Sequence, residues 1–135
     1  MDQFLKNYFD DYKNLLSLDK ELEDCLVNFK QMVLQCSKNK GTSFFIGNGG
    51  SAATSSHIAV DLSKNAKIKA LNFNDADLIT CFANDFGHDQ WMKEAIKTYS
   101  NSQDLIILIS ASGNSTNILN AAEYCIKNAI PLVTF

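Results

Sequence analysis

The stretch FFIGNGGSAATSSHIAVDL, residues 44–62, reads as a buried strand, a glycine turn and then a helix. Three glycines and a serine gather at the strand end, in Gly47-Asn48-Gly49-Gly50-Ser51. Glycine permits positive φ and close approach of the backbone, and Ser51 can cap the helix or donate to an anion. In open α/β sheets ligands collect where strand ends run into helix N-termini. Free amide N–H groups together with the positive end of a helix make an anion site there without any lysine.

A second loop of this kind follows the run Leu105–Ile109, which is apolar at every position, as expected of a strand covered on both faces. It is Ser110-Ala111-Ser112-Gly113-Asn114-Ser115, with three hydroxyls in six residues beside free amides. Either loop alone is also what an ordinary Ser/Gly turn before a capped helix looks like. Two at neighbouring strand ends point to a phosphate-sized anion. Rival phosphate motifs fit worse. G-x-x-x-x-G-K-[ST] is absent. Gly47 to Ala52 satisfies the loose G-x-G-x-x-G/A pattern, but Asn72 stands where the ribose-binding acid of a dinucleotide site belongs, so no nucleotide cofactor is expected.

Working outward, strands are predicted at 42–46, 68–73, 105–109 and 131–135, and helices near 51–64, 77–83, 89–100 and 115–128. Strands alternating with helices imply parallel pairing and a three-layer α/β sheet. Ahead of it, Phe4, Tyr8, Tyr12 and Leu15 or Leu16 form one helical stripe. Leu22, Cys25, Leu26, Phe29, Met32, Val33 and Cys36 form another that is close to a heptad seam. The second stripe fits a helix on its own domain's core or a bundle between subunits. Lys38-Asn39-Lys40-Gly41 closes that helix, with Gly41 in the position of a left-handed cap. Residues 1–40 are therefore expected to be an N-terminal helical hairpin and 41–135 the α/β domain. The chain stops at Phe135 beside a strand with no helix after it, which suggests a product shortened at its C-terminus or a face covered by a partner chain.

The totals exclude several classes. With 135 residues, 46% of them hydrophobic and 20% charged, the chain suits one domain with a real core. A net charge of −3 makes no electrostatic case for nucleic acid or an anionic membrane, so a bound phosphate must be held by local geometry. Cys25, Cys36, Cys81 and Cys125 contain no C-x-x-C pair and read as buried free thiols of a reducing compartment. The polar, acidic start MDQFLKNYFDDYKNL is unlike a signal peptide, and no apolar run approaches a membrane span. A cytoplasmic location is expected.

His57 and Asp61 share one helix face at i and i+4. They can ligate a metal, act as a proton-transfer pair beside the anion, or simply hydrogen-bond on the surface. Asn84-Asp85-Phe86-Gly87 reads as a further loop, where Asp85 can cap, turn the chain or touch a sugar hydroxyl.

Together GNGGSAA (47–53), His57, FANDFG (82–87) and SASGNSTNIL (110–119) resemble the phosphoheptose isomerase group of the sugar isomerase (SIS) domain family. The resemblance, which spans essentially the whole chain, implies a flavodoxin-like parallel sheet and a homotetramer built around the N-terminal helices. It implies that Asn48, Gly49, Gly50, Ser51, Asp85, Ser110, Ser112 and Ser115 bind a phosphorylated sugar. The implied reaction converts sedoheptulose 7-phosphate to D-glycero-D-manno-heptose 7-phosphate through an enediol, an early step toward heptose in lipopolysaccharide or capsule. Asp61 stands where the isomerases carry a glutamate base, and zinc is implied at His57 and Asp61. There are three departures. Asp61 is one methylene short, and misplacement by about 1 Å can cost on the order of a hundredfold. Ala111 replaces a common threonine, and the chain ends before the family's acid histidine and its nearby glutamine. Weak or no isomerase activity is therefore expected of these 135 residues. The alternative is a non-catalytic scaffold, as in a tetrameric relative that binds the bacterial replication initiator.

Overall fold

In the computed structural model, which describes residues 2–135, the elements run α1 (Gln3–Leu15), α2 (Lys20–Lys38), β1 (Ser43–Gly47), α3 (Gly49–Lys64), β2 (Ala70–Asn72), α4 (Ala76–Phe86), α5 (Trp91–Tyr99), β3 (Leu105–Ile109), α6 (Thr116–Lys127) and β4 (Leu132–Thr134). The strands lie in the order β2-β1-β3-β4, and all their pairings are parallel. Ser43 pairs with Leu105 and Gly47 with Ile109, so the two central strands end level. The chain divides into two compact units, one reaching to Gln31 and the other Met32–Phe135. This division falls inside α2, ahead of the boundary at 40/41 that the sequence suggests.

In the first unit Asp2 caps α1 by accepting the Phe4 N–H at 3.0 Å, and Asp19 accepts the Leu22 N–H at 2.8 Å at the start of α2. The apolar stripe of α1 is exposed along Phe4, Tyr8, Tyr12 and Leu15, as are Leu22 and Leu26 of α2.

In the second unit, alternate residues of the central strands serve opposite faces. Phe44, Ile46, Ile106 and Leu108 form one core with Trp91, Met92, Ala95 and Ile96 of α5 and Ile118, Ala121 and Cys125 of α6, flanked by Leu78, Ile79 and Phe82 of α4. Phe45 and Ile107 belong to the other face and are just as buried. α3 packs along β1 and β2. At the starts of β1 and β3, Asp104 is 2% exposed; it accepts the Thr42 N–H at 2.7 Å and the Asn101 N–H at 2.8 Å.

Several local expectations are corrected. The left-handed residue closing α2 is Lys40 (φ 61°), not Gly41. Gly41 is required for a different reason, since a Cβ there would meet the carbonyl oxygen of Gln103 at 2.0 Å. Asn84, Asp85 and Phe86 are the last turn of α4 rather than a loop, because nothing breaks the helix before Gly87 (φ 83°). α3 starts at Gly49, two residues earlier than expected. Cys36 and Cys125 are buried, but Cys25 and Cys81 are exposed.

Candidate anion site

β1 and β3 are neighbours, yet β2 and β4, which follow their helices, lie on opposite sides of them. This is the switch point at which such sheets bind ligands. Gly47 closes β1 where no side chain fits, and Gly49 takes φ 51°, so the strand turns into a helix through Asn48 alone. The first amides of a helix have no intrahelical acceptor. Asn48 is the N-cap of α3, but its side chain makes no capping bond. The N–H groups of Gly50 and Ser51 are therefore left to whatever enters the cleft.

The opposite wall folds on itself. Gly113 (φ 65°) donates its N–H to the Ser110 carbonyl at 3.2 Å, and the Asn114 N–H and side chain bond Ser112 at 3.2 and 2.9 Å. Ser115 caps α6 by position and likewise makes no side-chain capping bond. The two walls enclose a cavity of about 470 Å³, with Asn48, Gly50, Ser51 and Thr54 on one side and Ile109, Ser110, Ala111, Ser112 and Ser115 on the other. Among the described residues its lining holds amides and hydroxyls and no charged side chain. Asn74 steadies the first wall, donating from Nδ2 to the Ala52 carbonyl at 2.7 Å and to Ser56 Oγ at 2.6 Å.

Six of the residues singled out from the sequence thus meet in one cleft: Asn48, Gly50, Ser51, Ser110, Ser112 and Ser115. Gly49 shapes the turn without lining it. Thr54 was missed, although it follows Ser51 by three residues and so shares its stripe. Asp85 lies exposed at the end of α4, its carboxylate accepting from Asn84 at 3.0 Å, and is not in the lining. His57 Nε2 and Asp61 Oδ2 are 3.4 Å apart on α3, with side chains 79% and 53% exposed, outside the lining. Asp61 continues the stripe of Thr54 two turns on, roughly 10 Å along the axis. Among the described residues no group of three or more His, Cys, Asp or Glu side chains is placed to hold a metal. Two donors on one exposed helix face do not make a zinc site by themselves.

An open parallel sheet with an anion cleft formed by two loops at its switch point defines a class of small phospho-ligand domains. The SIS domain family matches residues 7–135, and the chain belongs to that family. Among its relatives are the phosphoheptose isomerase of Helicobacter pylori, 31% identical over 130 residues that cover 91% of this chain and 68% of the relative, and that of Colwellia psychrerythraea, 26% identical over 98% and 71%. The phosphoheptose isomerase structure from Neisseria gonorrhoeae superposes with a TM-score of 0.85 at 25% identity, over 98% of this chain and 72% of that one. One from Francisella tularensis shares the fold, with a TM-score of 0.78 at 21% identity.

Proposed function

We propose that the cleft between β1 and β3 holds the phosphate of a phosphorylated sugar, and that the chain serves the phosphoheptose isomerase reaction, sedoheptulose 7-phosphate to D-glycero-D-manno-heptose 7-phosphate. One observation carries the reading: two helix starts without side-chain caps face each other across hydroxyls and amides, on a chain of the SIS family. The relatives' names favour this isomerase reading over a scaffold role.

In the proposed pose, Gly50 and Ser51 donate main-chain N–H groups to the phosphate, and the hydroxyls of Ser51, Ser110, Ser112 and Ser115 surround its remaining oxygens. Helix dipole and oriented donors stand in for a cation. In this substrate the phosphate and the carbonyl end lie at opposite ends of a seven-carbon chain. A base is therefore needed at a distance from the phosphate, which suits Asp61, two turns down α3. Asp61 would take a proton from C1, beside the C2 carbonyl, whose oxygen takes a proton from water to give the enediol. Asp61 would then return a proton to C2 as the C1 hydroxyl loses its own to water and becomes the aldehyde. Asp85 is proposed to reach a sugar hydroxyl. Zinc at His57 and Asp61 would need ligands beyond these two, and retention of Zn²⁺ after dialysis tests that. The exposed stripe on α1 supports assembly through the N-terminal helices, with a tetramer proposed. Among the described residues no helix is long and apolar enough to cross a membrane; a cytoplasmic location is proposed.

Calorimetric titration with inorganic phosphate and with sedoheptulose 7-phosphate tests the reading, alongside an aldose–ketose assay. Both ligands are expected to bind, and the double variant Ser51→Ala/Ser112→Ala should bind neither. Equal affinity in the folded double variant would sink the proposal.

A further inference from the structure

Two carboxamides beside the cleft bond each other in both directions. Asn48 Nδ2 donates to Asn117 Oδ1 at 2.9 Å, and Asn117 Nδ2 donates to Asn48 Oδ1 at 3.0 Å. Asn48 precedes α3 and Asn117 lies in the first turn of α6, so the pair ties together the two helix starts that form the walls. Asn117 is only 2% exposed, and its Oδ1 also accepts the Ile118 N–H at 3.0 Å.

The pair changes what the caps do. An N-cap side chain ordinarily accepts from the second or third amide of its helix. The oxygen of Asn48 is engaged by Asn117 instead, so the Gly50 and Ser51 amides of α3 keep no side-chain acceptor. At α6 the Ile118 amide, the third of the helix, is served by Asn117 rather than by the hydroxyl of Ser115, which stays free to face the cleft.

We infer that the Asn48–Asn117 pair sets the two loops at the spacing of one anion and keeps both helix starts open toward it, which makes Asn117 a positioning residue of the site. The inference rests on the anion reading above. It assigns Asn48 a structural partner, leaving only its second side-chain N–H for a ligand.

The ring of two hydrogen bonds needs one donor and one acceptor from each side. Asn117→Asp keeps the shape. Ionised, the new carboxyl has no donor and sets an oxygen against Asn48 Oδ1. Protonated, it donates its O–H to Asn48 Oδ1 and accepts from Nδ2, restoring the ring. Burial favours the protonated form. Asn117→Leu removes the ring without adding charge.

The test is titration of the full chain with inorganic phosphate at about pH 5 and about pH 8, each variant taken relative to the unaltered protein at the same pH, so that the ionisation of phosphate itself cancels. Asn117→Leu should bind at least about tenfold more weakly at both values, and Asn117→Asp about tenfold more weakly only at the higher one. Undiminished binding by Asn117→Leu, or a deficit in Asn117→Asp that ignores pH, overturns the inference. If the Asn117 variants do not fold, Asn48→Asp forms the mirror-image ring at a half-buried position and should show the same pH pattern; a flat profile overturns the idea. If the unaltered protein takes up no phosphate, the functional proposal fails while the pair is still judged by NMR. Slowed exchange of both side-chain amides in the unaltered protein, regained at low pH in Asn117→Asp, supports it, and fast exchange refutes it.

Discussion

At Gly47 a Cβ would lie 2.7 Å from Ser51 Cβ and 3.0 Å from the Ile109 carbonyl oxygen, so this residue sets how closely β1, α3 and β3 meet. Gly47→Ala should destabilise the fold by about 1–3 kcal/mol, the usual scale of overpacking, and should weaken phosphate binding as well. A shift of the urea midpoint at unchanged slope checks the first part. Residues of this kind were readable because glycines and hydroxyls at a strand end have few other uses. Asn117 was not, since an asparagine two residues into a helix is unremarkable until the fold brings Asn48 against it. Gly41 reads in the sequence as a left-handed cap, whereas what requires it is Gln103, distant in sequence, and no local pattern announces that contact.

Among the elements, α3 carries the anion turn at one end and the His57–Asp61 pair further along. If one end binds and the other reacts, their effects must separate. Asp61→Asn is expected to leave phosphate affinity within about twofold and to remove any isomerase activity, whereas Asp61→Glu should raise activity by up to about a hundredfold if reach is what limits the base. Steady-state assays beside the phosphate titration check both, and equal loss of binding and turnover in Asp61→Asn would undo the division of labour. Element types were legible from periodicity. β3 fell at its predicted limits because an unbroken apolar run admits little else in this setting. The end of α4 did not. Phe82 and Phe86, four residues apart with ring centres at 5.8 Å, carry that helix through Asn84 and Asp85, whose composition reads as a turn.

For the molecule as a whole, pH is a means of testing the core. Burial pushes the Cys125 thiol from 9.0 up to about 11. In the unfolded chain it ionises first, so stability is intact below about pH 9 and declines as pH rises toward 11, by about 3 kcal/mol in all. Cys125→Ala should flatten that alkaline decline in denaturant titrations while lowering stability at neutral pH through the cavity it leaves. Burial would raise Glu94, but hydrogen bonds from Lys97 and Lys93 outweigh it and hold the carboxyl below its usual value of 4.5. Its contribution is present above that value and fades as pH falls further, a small effect for surface pairs. At this scale the exposed aromatic stripe of α1 has a consequence as well: Phe4→Asp with Tyr8→Asp should lower the molecular mass seen by sedimentation equilibrium, and an unchanged mass would refute assembly through that helix. The sequence displays such a stripe plainly, but a stripe looks the same whether it meets its own core or another subunit.

That no charged side chain among the described residues lines the cleft bears on how a ligand would be held in brine. Mobile ions weaken attraction between full charges over distances of roughly 8–10 Å, but do little to short hydrogen bonds from fixed dipoles. Grip on a phosphate ester should therefore persist at ionic strengths that strip such esters from lysine-lined surfaces, with selectivity resting on where the oxygens fall.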